Sequence, residues 1–234
     1  MELLSPRLRL REWSLADLQD FSRLAKNPNV MRYINNGKLW DDHRIRKFIE
    51  RQQRLQKQMG HCLWVIELQQ KEGLIGFCGI APFEPPGFLE IGWWLDESCW
   101  GRGYATEAAR IVLDYGINEL GITQLRSVSH RDHSRSQAVM RRIGMRLEQD
   151  LLLGDFGKEP EDLPIRVHLY DHKTESGQSN FNKADCSLFR QGFPIITDEF
   201  RRSRSQPGSW SPLPRLPIRN RKSSPSKADR FVEH

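Results

Sequence analysis

The sequence predicts an α/β (α+β) fold built on a mostly antiparallel central sheet flanked by helices, and three observations carry that expectation. Stretches with the two-residue period of half-buried strands alternate with stretches of helical period, in the order strand, two helices, three strands, helix, strand, helix, two strands. The three consecutive strands are joined by short polar turns, which suits an antiparallel meander. Between the third of them and the following helix lies a glycine turn, Trp100-Gly101-Arg102-Gly103-Tyr104, the arrangement that presents backbone N–H groups to an anion.

Each element has a local reason. Leu8-Arg9-Leu10-Arg11-Glu12-Trp13 alternates apolar and charged residues. Ser14 offers an N-cap with Asp17 in a capping-box-like position, so a helix is expected through about Ala25, stopped by Asn27-Pro28-Asn29. A second helix is expected over 41–59, with Ile45, Phe48, Ile49 and Leu55 as its apolar stripe and Gly60 as its end. Strands follow at 62–68, at 74–80 after a Lys71-Glu72-Gly73 turn, and at 88–95 after Glu84-Pro85-Pro86-Gly87. Ala105, Ala108, Val112 and Tyr115 recur at helical spacing, with Gly116 and Gly121 at the fraying end. A strand at 125–130, a short helix from Ser134 to Ile143 closed by Gly144, and strands at 145–148 and 165–170 complete the order.

Composition bounds the rest. A chain of 234 residues can bury one core with a remainder. Of its formal charge of +6, a surplus of five lies in residues 174–234, which hold eleven Lys/Arg against six Asp/Glu. That segment is rich in Ser, Pro and Arg and shows no period, so a disordered, solvated tail is expected, with at most a helical turn around 187–191. A nucleic acid is a candidate partner only through this basic tail. The absence of a leader-like or 18-residue apolar run leads to the expectation of a cytoplasmic protein with no membrane partner. Cys62, Cys78, Cys99 and Cys186 lack pairwise or ligand spacing and read as reduced thiols.

The glycine turn excludes two phosphate loops. There is no Gly-Lys-Ser/Thr of a nucleoside-triphosphate loop, and only two of the three glycines of a dinucleotide fingerprint are present. The stretch IGWWLDESCWGRGYATEAARIVLDYG instead resembles the acetyl-CoA-binding segment of the GCN5-related N-acetyltransferases (GNAT), in the branch of the ribosomal-protein alanine acetyltransferases (RimJ/RimL-like). That loop, Gln/Arg-x-x-Gly-x-Gly/Ala, falls on Trp100, Gly103 and Ala105, with Trp100 departing from the usual first residue. HRDHSRSQAVMRRIGM is similar to a second family segment, matching at Ser136, Val139, Met140, Arg141, Gly144 and Met145, while His133 stands where Asn is usual. With SPRLRLREW and NPNVMRYI the likeness covers about residues 5–172.

The resemblance implies a splayed, mostly antiparallel mixed sheet with helices on both faces, and an acetyl-CoA-dependent N-acetyltransferase domain over residues 1–173. It implies acetyl-CoA as cosubstrate, with the pyrophosphate on Gly101, Arg102, Gly103, Tyr104, Ala105 and Thr106, and the pantetheine arm along Trp93, Trp94 and Leu95. His133 and Ser136 join the cofactor side. The strands part at a bulge in the family, and Gly92 is a place for it, or merely relieves packing beside two Trp residues. An amine must lose a proton before it attacks a thioester, and Glu90, opposite Leu89 and Ile91 by alternation, is the candidate acceptor; the other reading is a solvated strand carboxylate. Ser136 is the candidate donor to the departing thiolate, or else a helix cap.

His130 and His133, three apart, lack a third ligand, so no metal is expected. Trp93 and Trp94 read as core or pocket lining rather than a stacking platform. The resemblance implies an amine acceptor, either a protein N-terminal α-amine or a small molecule or antibiotic, and residues 33–38 and the loop 154–164 are expected to wall its pocket. A non-catalytic acyl-CoA-binding module is the alternative from another class, and a homodimer is compatible with either.

Overall fold

The computed structural model describes residues 1–84 and 87–172. The basic segment 174–234, with the turn expected at 187–191, and Pro85-Pro86 lie outside the described residues. The elements are β1 (Glu2–Leu4), β2 (Leu8–Arg11), α1 (Leu18–Ala25), α2 (Pro28–Met31), α3 (Asp42–Met59), β3 (Leu63–Leu68), β4 (Lys71–Phe83), β5 (Phe88–Leu95), α4 (Tyr104–Asn118), β6 (Gln124–His130), α5 (Ser134–Arg142), β7 (Arg146–Leu152) and β8 (Pro164–Asp171).

The eight strands form one sheet in the order β1-β2-β3-β4-β5-β6-β8-β7. Every neighbouring pair is antiparallel except β5 and β6, which run parallel and register at one pair, Glu90 with Arg126. This is the mixed, mostly antiparallel and splayed sheet that the sequence led us to expect.

Both faces of the sheet are covered. Phe77 and Ile80 on β4 are three residues apart and therefore point to opposite faces. Phe77 meets the rings of Phe21 from α1 at 5.9 Å and Phe48 from α3 at 5.3 Å. Ile80 lies under α4, whose Gly116 comes so close that a Cβ there would sit 2.7 Å from Ile80 Cδ1. Gly116 is thus a buried contact within the helix rather than its fraying end, because a larger side chain would hold α4 off the sheet. α5 packs against α4 and β6.

The caps explain most boundaries. Ser14 Oγ accepts from Ala16 N–H at 3.2 Å and Asp17 Oδ2 from Ser14 N–H at 2.7 Å, closing the capping box of a short 3-10 turn that leads into α1. Asp41 Oδ1 accepts from Arg44 N–H at 2.7 Å to start α3, and Gly60, at φ +74°, ends it.

Two expectations are corrected here. Asn27-Pro28-Asn29 ends α1 but also begins α2, since Asn27 Oδ1 accepts from Asn29 N–H at 2.9 Å and Pro28 takes the first helical position, where no N–H is needed. The β3–β4 turn falls at Gln69-Gln70 rather than at 71–73, because the register shifts around Glu67 and Leu68 then pairs with Lys71.

Candidate active site

The site is built on the place where β5 and β6 part. After Glu90↔Arg126 the two strands share no further pair, so the edge of β5 from Gly92 onward has no strand partner. The amide of Val128 on β6 donates to Glu90 Oε1 at 3.1 Å, which puts the carboxylate in the fork of the splay. The splay arises without a bulge at Gly92: the β4–β5 register runs unbroken from Phe83↔Phe88 through Gly79↔Gly92 to Gly76↔Leu95. The extra freedom lies on the other side of β5, where the partner strand turns away.

Alternation puts Glu90 opposite Leu89 and Ile91, but its face is only partly open to water, because residues of α3 and of the loop after β7 stand beside it. Glu90 is half-buried, and burial pushes its carboxyl up to about 7, opposed by the Val128 N–H and by the charges of Lys158 and Arg51. It is therefore not a freely solvated strand carboxylate. It lines a cavity of about 520 Å³ together with Phe48 and Arg51 of α3, Phe77, Ala81 and Phe83 of β4, Gly92, Trp93 and Trp94 of β5, and Lys158. Trp94 also meets Phe77 at 5.0 Å and Trp40 at 5.0 Å, so its ring is fixed by the core. The loop 154–164 thus supplies Lys158 to the cavity. Tyr33 does not line it, and instead stacks on His133 at 4.7 Å and lies 5.4 Å from His130.

From Leu95 the chain passes into the glycine turn. Gly101 and Gly103 hold φ +75° and +80°, and Gly103 is the N-cap of α4 with no side chain capping the helix. The first amide of this region with a partner is Glu107 N–H, which donates to Gly103 O at 3.0 Å. The N–H groups of Gly101, Arg102, Gly103, Tyr104, Ala105 and Thr106 find no acceptor among the described residues. Six free amides at the positive end of a 15-residue helix form a cradle suited to a pyrophosphate.

Residues remote in sequence hold this turn from behind. Arg7 donates through Nη1 to Arg102 O at 3.1 Å and through Nε to Glu107 Oε2 at 2.7 Å, and its guanidinium lies 4.8 Å from the Tyr104 ring centre. Ser5 Oγ donates to Glu107 Oε1 at 2.7 Å. Trp100 Nε1 donates to Leu95 O at 2.9 Å, and Arg135 of α5 sits 4.9 Å over the Trp100 ring, linking β5, the turn and α5. Sequence reasoning missed Arg7, for which no local signal exists. It likewise missed Arg51 and Lys158, although a cation beside the apolar stripe of α3 was the available hint.

Ser136 is half-buried in the first turn of α5, and its hydroxyl makes no hydrogen bond among the described residues. It does not cap the helix, whose N-cap is His133 without a side-chain bond. Burial, with His130 and Arg135 nearby, pushes the His133 imidazole down to about 4, so it is neutral at neutral pH. His130 Nδ1 accepts from Asp132 N–H at 3.0 Å. Among the described residues no group of three or more His, Cys, Asp or Glu could hold a metal ion. Cys62, Cys78 and Cys99 are buried free thiols, the first two pushed up by desolvation, and Cys186 lies outside the described residues. No described helix is long and apolar enough to cross a membrane.

Comparison with known proteins agrees with this geometry. A family model described as an acetyltransferase (GNAT) domain matches residues 7–146. The chain is similar to the uncharacterized protein YkkB of Bacillus subtilis, 35% identical over 62% of this chain and 84% of that protein. It is also similar to spermidine N(1)-acetyltransferase of Escherichia coli, 24% identical over 71% of this chain and 87% of that enzyme. Among solved structures, RimL, a ribosomal L7/L12 alpha-N-protein acetyltransferase in complex with coenzyme A, aligns with a TM-score of 0.62 at 18% identity over 74% of this chain and 98% of that one.

Proposed function

The chain belongs to the acetyltransferase (GNAT) family, and from that premise we propose that it moves the acetyl group of acetyl-CoA to a primary amine held in the cavity beside Glu90. It is an acyltransferase of the N-acetyltransferase class. One juxtaposition supports the finer reading best: the free edge of β5 leads from a carboxylate raised to about 7 to an uncapped helix N-terminus. Residues 1–173 are the proposed catalytic domain.

In this reading the amides of Gly101 to Thr106 take the pyrophosphate of acetyl-CoA, which supplies the activated acetyl group. The edge of β5 along Trp93, Trp94 and Leu95, paired with β4 on one side and without a strand partner on the β6 side, guides the pantetheine arm and polarises the acetyl carbonyl. Glu90 accepts the proton of the acceptor ammonium, directly or through a water, because a carboxylate near 7 is ionised in part at neutral pH and basic enough to do so. The nitrogen–carbon bond forms, the carbon–sulfur bond breaks, and the sulfur keeps the electron pair. Ser136, whose hydroxyl has no hydrogen-bond partner among the described residues, donates a hydrogen bond to that sulfur, and neutral His133 completes the polar wall beside it. Positioning supplies much of the rate, since both reactants are held at one fork of the sheet. A primary amine as acceptor is in keeping with the similar spermidine N(1)-acetyltransferase, whose named acceptor carries one.

The test is thiol release from acetyl-CoA by the full-length protein across a panel of small amines and peptide amino termini. At least one acceptor is turned over, kcat/KM for it falls about 100-fold in Glu90→Gln, and Ser136→Ala lowers kcat by about tenfold. Folded protein that binds acetyl-CoA but releases no thiol with any amine contradicts the reaction. Two variants as active as the wild type would contradict the residue assignments.

A further inference from the structure

The cavity beside Glu90 carries two cations, Arg51 and Lys158, that form no ion pair among the described residues. Arg51 reaches from α3 to its rim and donates to Pro82 O at 3.3 Å; Lys158 donates to the carbonyl of Glu84 and lies 4.6 Å over the Phe83 ring. Neither forms an ion pair within 4.0 Å among the described residues, although Glu84 and Glu90 line the same cavity. By contrast Arg7, Arg9, Arg11 and Arg126 each hold a carboxylate. Arg51 is exposed and Lys158 half-buried at this rim, and partial desolvation lowers the pKa of both. A cation at the rim of a cavity gains from an anion and is repelled by a further cation.

On the acetyltransferase reading above, we propose that the acceptor is a small amine that also bears an anionic group, a carboxylate or a phosphate-like group, with its nitrogen at Glu90 and its anion between Arg51 and Lys158. A zwitterion leaves the cavity near neutrality, whereas a polyamine sets further positive charge against these two side chains. Cavity size agrees: about 520 Å³ lies within the range of small-molecule pockets. The aromatic rings of Phe48, Phe77 and Trp94 line the apolar part of the acceptor's path.

Matched acceptors test this with the full-length protein: β-alanine, 2-aminoethylphosphonate, propylamine and spermidine, each with acetyl-CoA, in the wild type, Arg51→Gln, Lys158→Gln and Arg51→Lys. At least one of the two anionic amines should exceed propylamine and spermidine in kcat/KM by about tenfold or more, and which of the two does so identifies carboxylate or phosphate-like chemistry. That preference should fall at least about fivefold in each Gln variant and survive in Arg51→Lys, which keeps the charge. Calorimetric binding of the same four amines to protein without acetyl-CoA gives a separate readout. Anion-dependent binding that needs Arg51 and Lys158 supports the site even if no acetyl transfer occurs. Acetyl transfer with propylamine or spermidine as good as the anionic amines leaves the enzyme reading intact and overturns this one, as does a preference untouched in both Gln variants. No preference in either readout overturns it as well.

Discussion

Glu90 is a residue whose protonation couples the site to the stability of the whole chain. Its folded pKa, about 7, lies above the ordinary carboxyl value, so the folded state binds its proton more tightly than the unfolded one. Below about pH 4 the group is protonated in both states and its burial is tolerated; as pH rises through 7 the folded state must ionise it, and that stability is lost. Glu90→Gln keeps an oxygen for Val128 N–H and removes the charge. It is expected to be more stable than the wild type by about 2 kcal/mol at pH 8 and equal to it near pH 4, measured by urea unfolding; a variant less stable at pH 8 contradicts the buried-carboxylate account. Arg7 acts from behind the glycine turn proposed to hold the cofactor. Arg7→Ala should weaken acetyl-CoA binding by about tenfold, measured by calorimetry, while costing less than about 1 kcal/mol of stability because its ion pair is half exposed; unchanged affinity would remove Arg7 from the cradle. The face that Glu90 occupies was legible from alternation along one strand, but its cover was not, since Arg51 and Lys158 lie some 40 to 70 residues away and have no local pattern; the same holds for Arg7 behind the glycine turn.

At the scale of the element, local chemistry was read well where it acts alone. The Ser14 cap, the Gly60 terminus and the strand–turn–helix around Gly103 all stand where their residue types put them, and Asp41, expected as the first residue of its helix, caps it. Misreadings came where one residue type serves two purposes. Asn27-Pro28 stops one helix and starts another, and Gly116, which reads as a terminus, instead admits the sheet. The second case yields a prediction. Gly116→Leu should cost about 2 to 3 kcal/mol, seen as a lower urea midpoint, because Ile80 and its neighbours Ile122 and Leu125 must give way. A change under about 0.5 kcal/mol would mean that α4 does not rest on the sheet at this point. The splay was expected from a bulge at Gly92, and it comes from non-local pairing, which the sequence of β5 alone does not encode.

For the whole molecule, the order of elements was legible because each period is local, whereas the sheet order β5-β6-β8-β7 depends on which strand each connection returns to. That crossover makes the site: β6 pairs once with β5, turns to β8, and leaves the edge of β5 free between an aromatic cavity and an uncapped helix. The central claim is that the glycine turn and this free edge hold acetyl-CoA. Calorimetric titration of acetyl-CoA into the wild type and Gly103→Asp tests it most directly. A Cβ at Gly103 meets only Arg7, at 3.6 Å, and Asp tolerates positive φ better than most residues, so the variant should fold while placing a carboxylate beside the pyrophosphate. The account predicts binding in the micromolar range for the wild type and a loss of about 100-fold, some 2.7 kcal/mol, in the variant. Folded wild-type protein that binds no acetyl-CoA, or a variant that binds it equally well, would contradict the account.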